Sequence, residues 1–385
     1  MTAPGHATTA PLRRGAGVAV ALALTMAALG VFLFAKWQVL PGWDAPLTFD
    51  GMYYQSIQQQ GYRFDGNIEQ KGNTAFLPLM AMLIGAASAL PGSNQYLEVV
   101  VLGALVLFLT LLGVHRFAAA VAGEAAGRMS AALWAFSPMA FYNFVGYTEP
   151  LFAMLTIWTL IAIRHDRAWW AVALAGLSVV GRPAGLVLVL MVAIWLVWQH
   201  RQAPRRLLDG PVAVQLSLLF LPIMAFATWA ALRYGDSVVY VNSIEAWRRG
   251  SVFDGNVAAP EALVYFLRSI AGEPGAITHW STLLTGVSLT LMAWVLMMAR
   301  REIMPVVWLY LALLGFMFFS ASLDVMNIAR RSLYMVPWVV IAAVGWARLR
   351  PHHPGAVLGL LLWLVVAIGI NIVAVGRYYR GEWVS

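Results

Sequence analysis

Cysteine is absent from the 385 residues, and charge is scarce, with only 11% Asp, Glu, Lys or Arg. The first absence excludes disulfides, thiolate nucleophiles and zinc–thiolate sites, and it leaves the redox compartment open. The second excludes an ordinary soluble domain, where about 25% of residues are charged and about 45–50% apolar. No glycine-rich phosphate loop, repeat of fixed period or low-complexity tract is evident either. What fills the chain is apolar: 61% of residues are hydrophobic and mean hydropathy is +0.74. Tryptophan, with 17 copies, gathers near the ends of apolar runs, where indole rings prefer the membrane interface. The formal charge of +8 is spread over short segments between those runs. Such a distribution suits anionic headgroups, whereas nucleic acid calls for a clustered basic face.

The composition therefore predicts an all-α integral membrane protein, a single polytopic domain over residues 1–385. A hydrocarbon core of about 30 Å needs roughly 20 apolar helical residues. Spans are expected at 16–36, 96–118, 128–146, 149–163, 168–181, 183–199, 211–233, 278–299, 302–321, 332–348 and 354–375. The first, behind Arg13 and Arg14, is too long for a signal-peptide core and reads as a retained helix. Segment 74–91, "TAFLPLMAMLIGAASALP", is apolar, but counting it as a crossing reverses every later loop. Reading it as an outer-face segment puts Arg13, Arg14, Arg116, Arg128, Arg164, Arg167, Arg201, Arg205, Arg206, Arg300, Arg301, Arg348 and Arg350 inside. Most acids then face outward, as the positive-inside rule favours. The expected topology has eleven spans, an inner N-terminus and two long outer loops, 37–95 and 234–277, with interfacial patches at 50–61 and 259–270.

Four outer features carry chemistry. "FDGMYYQSIQQQGY" opens on Asp50, with positions 50, 54, 57 and 61 sharing one helical face. Asp50 reads equally as an N-cap, with Phe49 and Tyr54 as a hydrophobic staple. Glu149 in "GYTEPLF" stands at the membrane boundary, where an ionisable group is costly and tends to mark function. A carboxylate in the first turn of a helix, before Pro150, is its bland reading. Arg182 lies in a short outer turn with Gly181, Pro183 and Gly185; its fork suits phosphate, and a headgroup anchor is the alternative. Arg330 and Arg331 in "LDVMNIARRSLYM" invite the same two readings, and Arg248 and Arg249 add positive charge. His115, His165, His200, His352 and His353 fall on the inner side without a ligand-like grouping. Two outer carboxylates and two arginine sites beside lipid fit transfer from a lipid-phosphate sugar. A carboxylate deprotonates the acceptor hydroxyl, and guanidinium stabilises the departing phosphate.

On these residues the sequence resembles the GT-C superfamily of polytopic glycosyltransferases, and within it the PIG-V-like mannosyltransferases and their bacterial relatives. A first-loop pattern W-D-x-x-x-Y-x-x-I-x-x-x-G-Y is matched by Asp50, Tyr54, Ile57, Gly61 and Tyr62, with Phe49 replacing Trp. "AFLPLMAML" keeps Phe76 and Pro78 of a following F-x-P-L-x-P stretch. Ser137-Pro138 and Tyr147-Thr148-Glu149-Pro150-Leu151-Phe152 match S-P…Y-S-E-S-L-F. Arg182-Pro183-Ala184-Gly185 match R-x-x-G, and Arg330-Arg331-Ser332-Leu333-Tyr334 a late basic-aromatic stretch. The series runs in order over about residues 45–190 and returns at 327–346.

The resemblance implies Asp50 as catalytic base and Glu149 as a second acid. It implies Arg182, Arg330 and Arg331 as donor-phosphate contacts, and Tyr54, Tyr62, Tyr147 and Tyr334 as substrate-pocket residues. The implied partners are a polyprenyl-phosphate sugar donor, with mannose favoured, and a lipid or glycan acceptor at the extracytoplasmic face of a bacterial cell membrane. No cofactor is implied. For a divalent metal, Asp50 and Glu149 are the sole candidate ligands, too few for a dedicated site. A transporter or flippase of a lipid-linked or anionic solute, and a polysaccharide polymerase or ligase, are the rival classes. The first predicts midplane charges and inverted repeats; the second makes the outer-loop arginines essential and Asp50 replaceable.

Overall fold

The computed structural model describes residues 14–42, 45–64, 66–67, 71–89, 94–201, 210–248, 304–320, 333, 336–349 and 355–382. Among these residues the secondary structure is entirely helical. In chain order the helices are α1 (Arg14–Val39), α2 (Asp50–Gln60), α3 (Pro78–Ser88), α4 (Gln95–Ala122), α5 (Glu124–Ala135), α6 (Thr148–Arg164), α7 (Ala168–Gly181) and α8 (Gly185–Gln199). They continue as α9 (Gly210–Tyr234), α10 (Val239–Arg248), α11 (Pro305–Ser320), α12 (Val336–Leu349) and α13 (Gly355–Tyr379). Short 3-10 turns cover Asn73–Ala75 and Ala140–Phe144.

Helices α1, α4, α9 and α13 are long and apolar enough to cross a membrane, and the chain is an integral membrane protein. Their surroundings differ. In α4, 61% of the most apolar stretch is buried, against 17% in α9 and α13. Helix α4 is thus the hub, packed on α1, α3, α5, α6 and α12, while α9 and α13 present Leu232, Met224, Val365 and Leu361 outward as lipid-facing surface. The hub works through small residues. A side chain on Gly103 would stand 1.9 Å from the Asn143 carbonyl oxygen, and one on Gly113 would meet Ile157 at 2.8 Å. Close approach of this kind replaces the hydrophobic drive that lipid removes. Buried Thr110, Thr156 and Thr159 bond back to the carbonyls of Val106, Phe152 and Leu155, so no helix-face hydroxyl among them is left in hydrocarbon.

One expected span takes a different form. Segment 128–146 is not one helix: α5 ends at Ala135, and 136–147 passes through bends and a 3-10 turn. Pro138 disfavours helix at the residue before it, and Gly146 takes φ +76. The break is held inside the protein. Asn371 of α13 accepts from the Phe141 N–H at 3.0 Å and donates to the Ser137 carbonyl at 2.7 Å. Irregular backbone at membrane depth needs such protein partners. Segment 74–91 contains α3, whose 11 residues reach about 16 Å, half a hydrocarbon core. It packs on α2, α4 and α7. The expected span 278–299 and patch 259–270 lie outside the described residues.

Candidate functional site

Asp50 opens α2 as its first helical residue. The N-cap position belongs to Phe49, whose φ of 51 and ψ of −129 form a strained backbone for a residue with a side chain. The N-cap reading of Asp50 is therefore corrected by one position. Its carboxylate still lies in the first turn, where the helix dipole favours negative charge. Gly51 explains the second letter of the motif. A Cβ there would stand 2.7 Å from the Val145 carbonyl oxygen, and a Cβ on Gly146 would stand 3.6 Å from the Gly51 Cα. The start of α2 thus sits backbone-to-backbone on the loop that leads into Glu149.

Helix α6 begins at Thr148, so Glu149 and Pro150 occupy its first turn. Glu149 is fully buried and meets Arg182 Nη1 at 2.9 Å; the arginine side chain retains 15% exposure. The same nitrogen donates to Thr148 Oγ1 at 2.7 Å. Arg182 closes α7 in extended backbone and donates its N–H to the Ser178 carbonyl at 3.0 Å. Gly185 allows the turn: a Cβ on it would lie 2.3 Å from the Ser178 carbonyl carbon. Two helix ends, from α6 and α7, so bring together a cation and an anion that lie 33 positions apart.

Tyr54 links this pair to Asp50. One helical turn after Asp50, it is buried, with its hydroxyl in hydrogen-bonding reach of Thr148 and its ring edge-on to Phe76 at 5.3 Å. Burial pushes its phenol above the ordinary value of 10.0. The Arg182 charge opposes that rise, and Asp50 and Glu149 add to it. One hydroxyl therefore lies in the fields of Asp50, Glu149 and Arg182 together.

The remaining tyrosines divide. Tyr62 donates to the Phe76 carbonyl at 2.7 Å, accepts Tyr234 on its own carbonyl at 2.8 Å, and packs on Phe226 and Trp229 of α9. Tyr147 is buried, 4.6 Å from the Tyr142 ring and 6.5 Å from that of Tyr378. Arg330, Arg331 and Tyr334 lie outside the described residues, as does Arg249; Arg248 ends α10. Among the described residues no three His, Asp or Glu side chains converge.

Sequence reasoning missed three residues here. Asn73 holds the first loop, accepting from Arg63 N–H at 3.0 Å and donating to the Gly61 carbonyl at 3.0 Å and to Ser56 Oγ at 3.1 Å. Gln95, at the start of α4, bonds Gln55, Gln58 and Gln59 along the outer side of α2. Tyr378, near the end of α13, contacts the turn before Asp50. Three glutamines at helical spacing were the available signal for the second. The other two leave no local pattern.

No family model and no curated protein matches the sequence. Solved structures do. An apo crystal structure of the Archaeoglobus fulgidus oligosaccharyltransferase aligns at TM-score 0.52 and 13% identity, over 96% of this chain and 56% of the other. The same organism's oligosaccharyltransferase AglB, in complex with an inhibitory peptide and a dolichol-phosphate, aligns at TM-score 0.50, 14% identity, 95% and 56%. A form tethered to an acceptor peptide gives 0.51, 14%, 94% and 55%. The chain shares the fold of these oligosaccharyltransferases. It spans little more than half the length of these proteins, so the shared architecture concerns that portion of them.

Proposed function

We propose that the chain is a membrane glycosyltransferase that moves a hexose, with mannose favoured, from a polyprenyl-phosphate donor to an acceptor hydroxyl at the extracytoplasmic face. The observation that carries this reading is the buried Glu149–Arg182 pair, 2.9 Å apart beside Thr148, with Tyr54 one helical turn from Asp50 in hydrogen-bonding reach of that threonine, within a GT-C fold. Asp50 takes the proton of the acceptor hydroxyl as its oxygen attacks the anomeric carbon. The bond from that carbon to the phosphate oxygen breaks, and polyprenyl phosphate leaves with the electron pair. Arg182, the partly exposed member of its pair, supplies positive charge to the departing phosphate, and Glu149 holds the guanidinium in place. Arg330 and Arg331 are the further phosphate contacts in this scheme, with Tyr62, Tyr147 and Tyr334 walling the pocket. The fold's solved relatives include one that holds dolichol-phosphate, a donor-like lipid of the class invoked here.

The test is release of polyprenyl phosphate from polyprenyl-phosphate-mannose by the purified protein in lipid nanodiscs. Asp50→Asn is expected to remain folded and to lose about 10²- to 10⁴-fold in turnover, the usual share of a general base. Full activity in that variant refutes the assignment. Retained activity there, combined with loss in Arg182 and Arg330 variants, would instead favour the polymerase or ligase class.

A further inference from the structure

We propose that Tyr378 is a positioning residue for Asp50, acting through the peptide of Thr48. Its hydroxyl accepts from the Thr48 N–H at 3.1 Å and donates to the Thr48 carbonyl at 3.0 Å, gripping both polar groups of one residue across 330 positions of sequence. The same carbonyl receives the Gly51 N–H at 3.2 Å, so the grip extends into the first turn of α2. Between these anchors stands Phe49 at φ 51, a conformation that persists only where the surroundings over-determine it. The Tyr378 ring supplies the rest of those surroundings. It lies 5.8 Å from the Phe49 ring and 5.9 Å from that of Phe141, and its oxygen would be 3.7 Å from a Cβ on Gly51. Tyr378 is 1% exposed, so the two bonds are made away from water and without a competing solvent partner.

The chemistry asks for such a device. A base on the first residue of an 11-residue helix at the membrane surface would fray with its helix end, and misplacement of about 1 Å can cost about 100-fold in rate. Tyr378 does not touch the reacting atoms in this account. It fixes the backbone on which Asp50 is carried.

This inference rests on Asp50 being the base, and the experiment separates the two. Tyr378→Phe keeps the ring contacts and deletes both hydrogen bonds. With polyprenyl-phosphate-mannose as donor, kcat is expected to fall about 10- to 100-fold while the donor KM stays within about twofold. Phe49→Gly, which frees the same turn from the α2 side, is the second variant should Tyr378→Phe not fold, and it is expected to lower kcat in the same way. If both folded variants keep wild-type kcat while Asp50→Asn is inactive, the positioning role is overturned and the base assignment stands. A lowered melting temperature with wild-type kcat and KM marks a purely structural tyrosine and also overturns the proposal. An active Asp50→Asn removes the base assignment and this inference with it.

Discussion

Replacing Arg182 by methionine strips the counter-charge from a carboxylate that has no exposure at all. Removing one partner of a buried pair costs about 3–5 kcal/mol, because the orphaned charge stays out of water. The partner change, Glu149→Gln, leaves a guanidinium that is 15% exposed and still donates to Thr148 at 2.7 Å. Its cost is smaller, about 1–3 kcal/mol, that of disturbed polar contacts. The double variant removes both charges of this pair. Its loss is expected to fall short of the sum of the two single losses by about 0.5–3 kcal/mol, the coupling range of residues in direct contact. Denaturant unfolding in a fixed detergent, followed by intrinsic fluorescence, reads the whole cycle. Turnover read in parallel divides the two roles of the arginine. If Arg182 served Glu149 alone, activity would return with stability. A role at the donor phosphate predicts recovered stability with turnover still lost. Stability losses that add within about 0.5 kcal/mol would refute the coupling itself, and the 2.9 Å contact would then carry no energetic weight.

Gly51→Ala drives a methyl to 2.7 Å from the Val145 carbonyl oxygen; it is expected to cost about 1–3 kcal/mol and to lower kcat, both measurable beside wild type. Gly51→Ala at wild-type stability would mean that α2 does not sit on that loop. Tyr54→Phe tests a pH effect. Burial raises the folded phenol above 10.0, so its stabilisation is complete below about pH 10 and is lost as pH climbs toward the folded value. Between pH 9 and 11 the wild type is expected to lose up to about 1.4 kcal/mol more than Tyr54→Phe, and parallel curves would contradict the burial.

The helices and the site were legible to different depths, for physical reasons. Long apolar runs such as those of α1, α4, α9 and α13 announce themselves, because lipid forces every backbone group into helical bonds. The break after Ala135 was hidden, because 128–146 is as apolar as a span. Asn371, a partner across the bundle, helps to satisfy its irregular backbone. Asp50, Glu149 and Arg182 stood out as charges at helix ends in an apolar chain, and each does lie at a helix end. Their convergence did not follow from any of the three alone. It depends on glycines 51, 146 and 185, whose spacing says that a backbone comes close but not which one.

Tyr378 shows where sequence reading ends. In "GRYYRGEW" it is one more aromatic at the end of an apolar run, indistinguishable from an interface anchor. Its partner is 330 positions away, and pairing at that distance follows from the packing of α13 against α1. The consequence concerns assembly. Residues 48–50 and α6 are made early, yet both the Thr48 grip and the Asn371 support of 136–147 come from α13. The strained turn at Phe49 and the broken segment before Glu149 thus gain these contacts only when α13 has docked. Until then the backbones that carry Asp50 and Glu149 lack the contacts that α13 supplies.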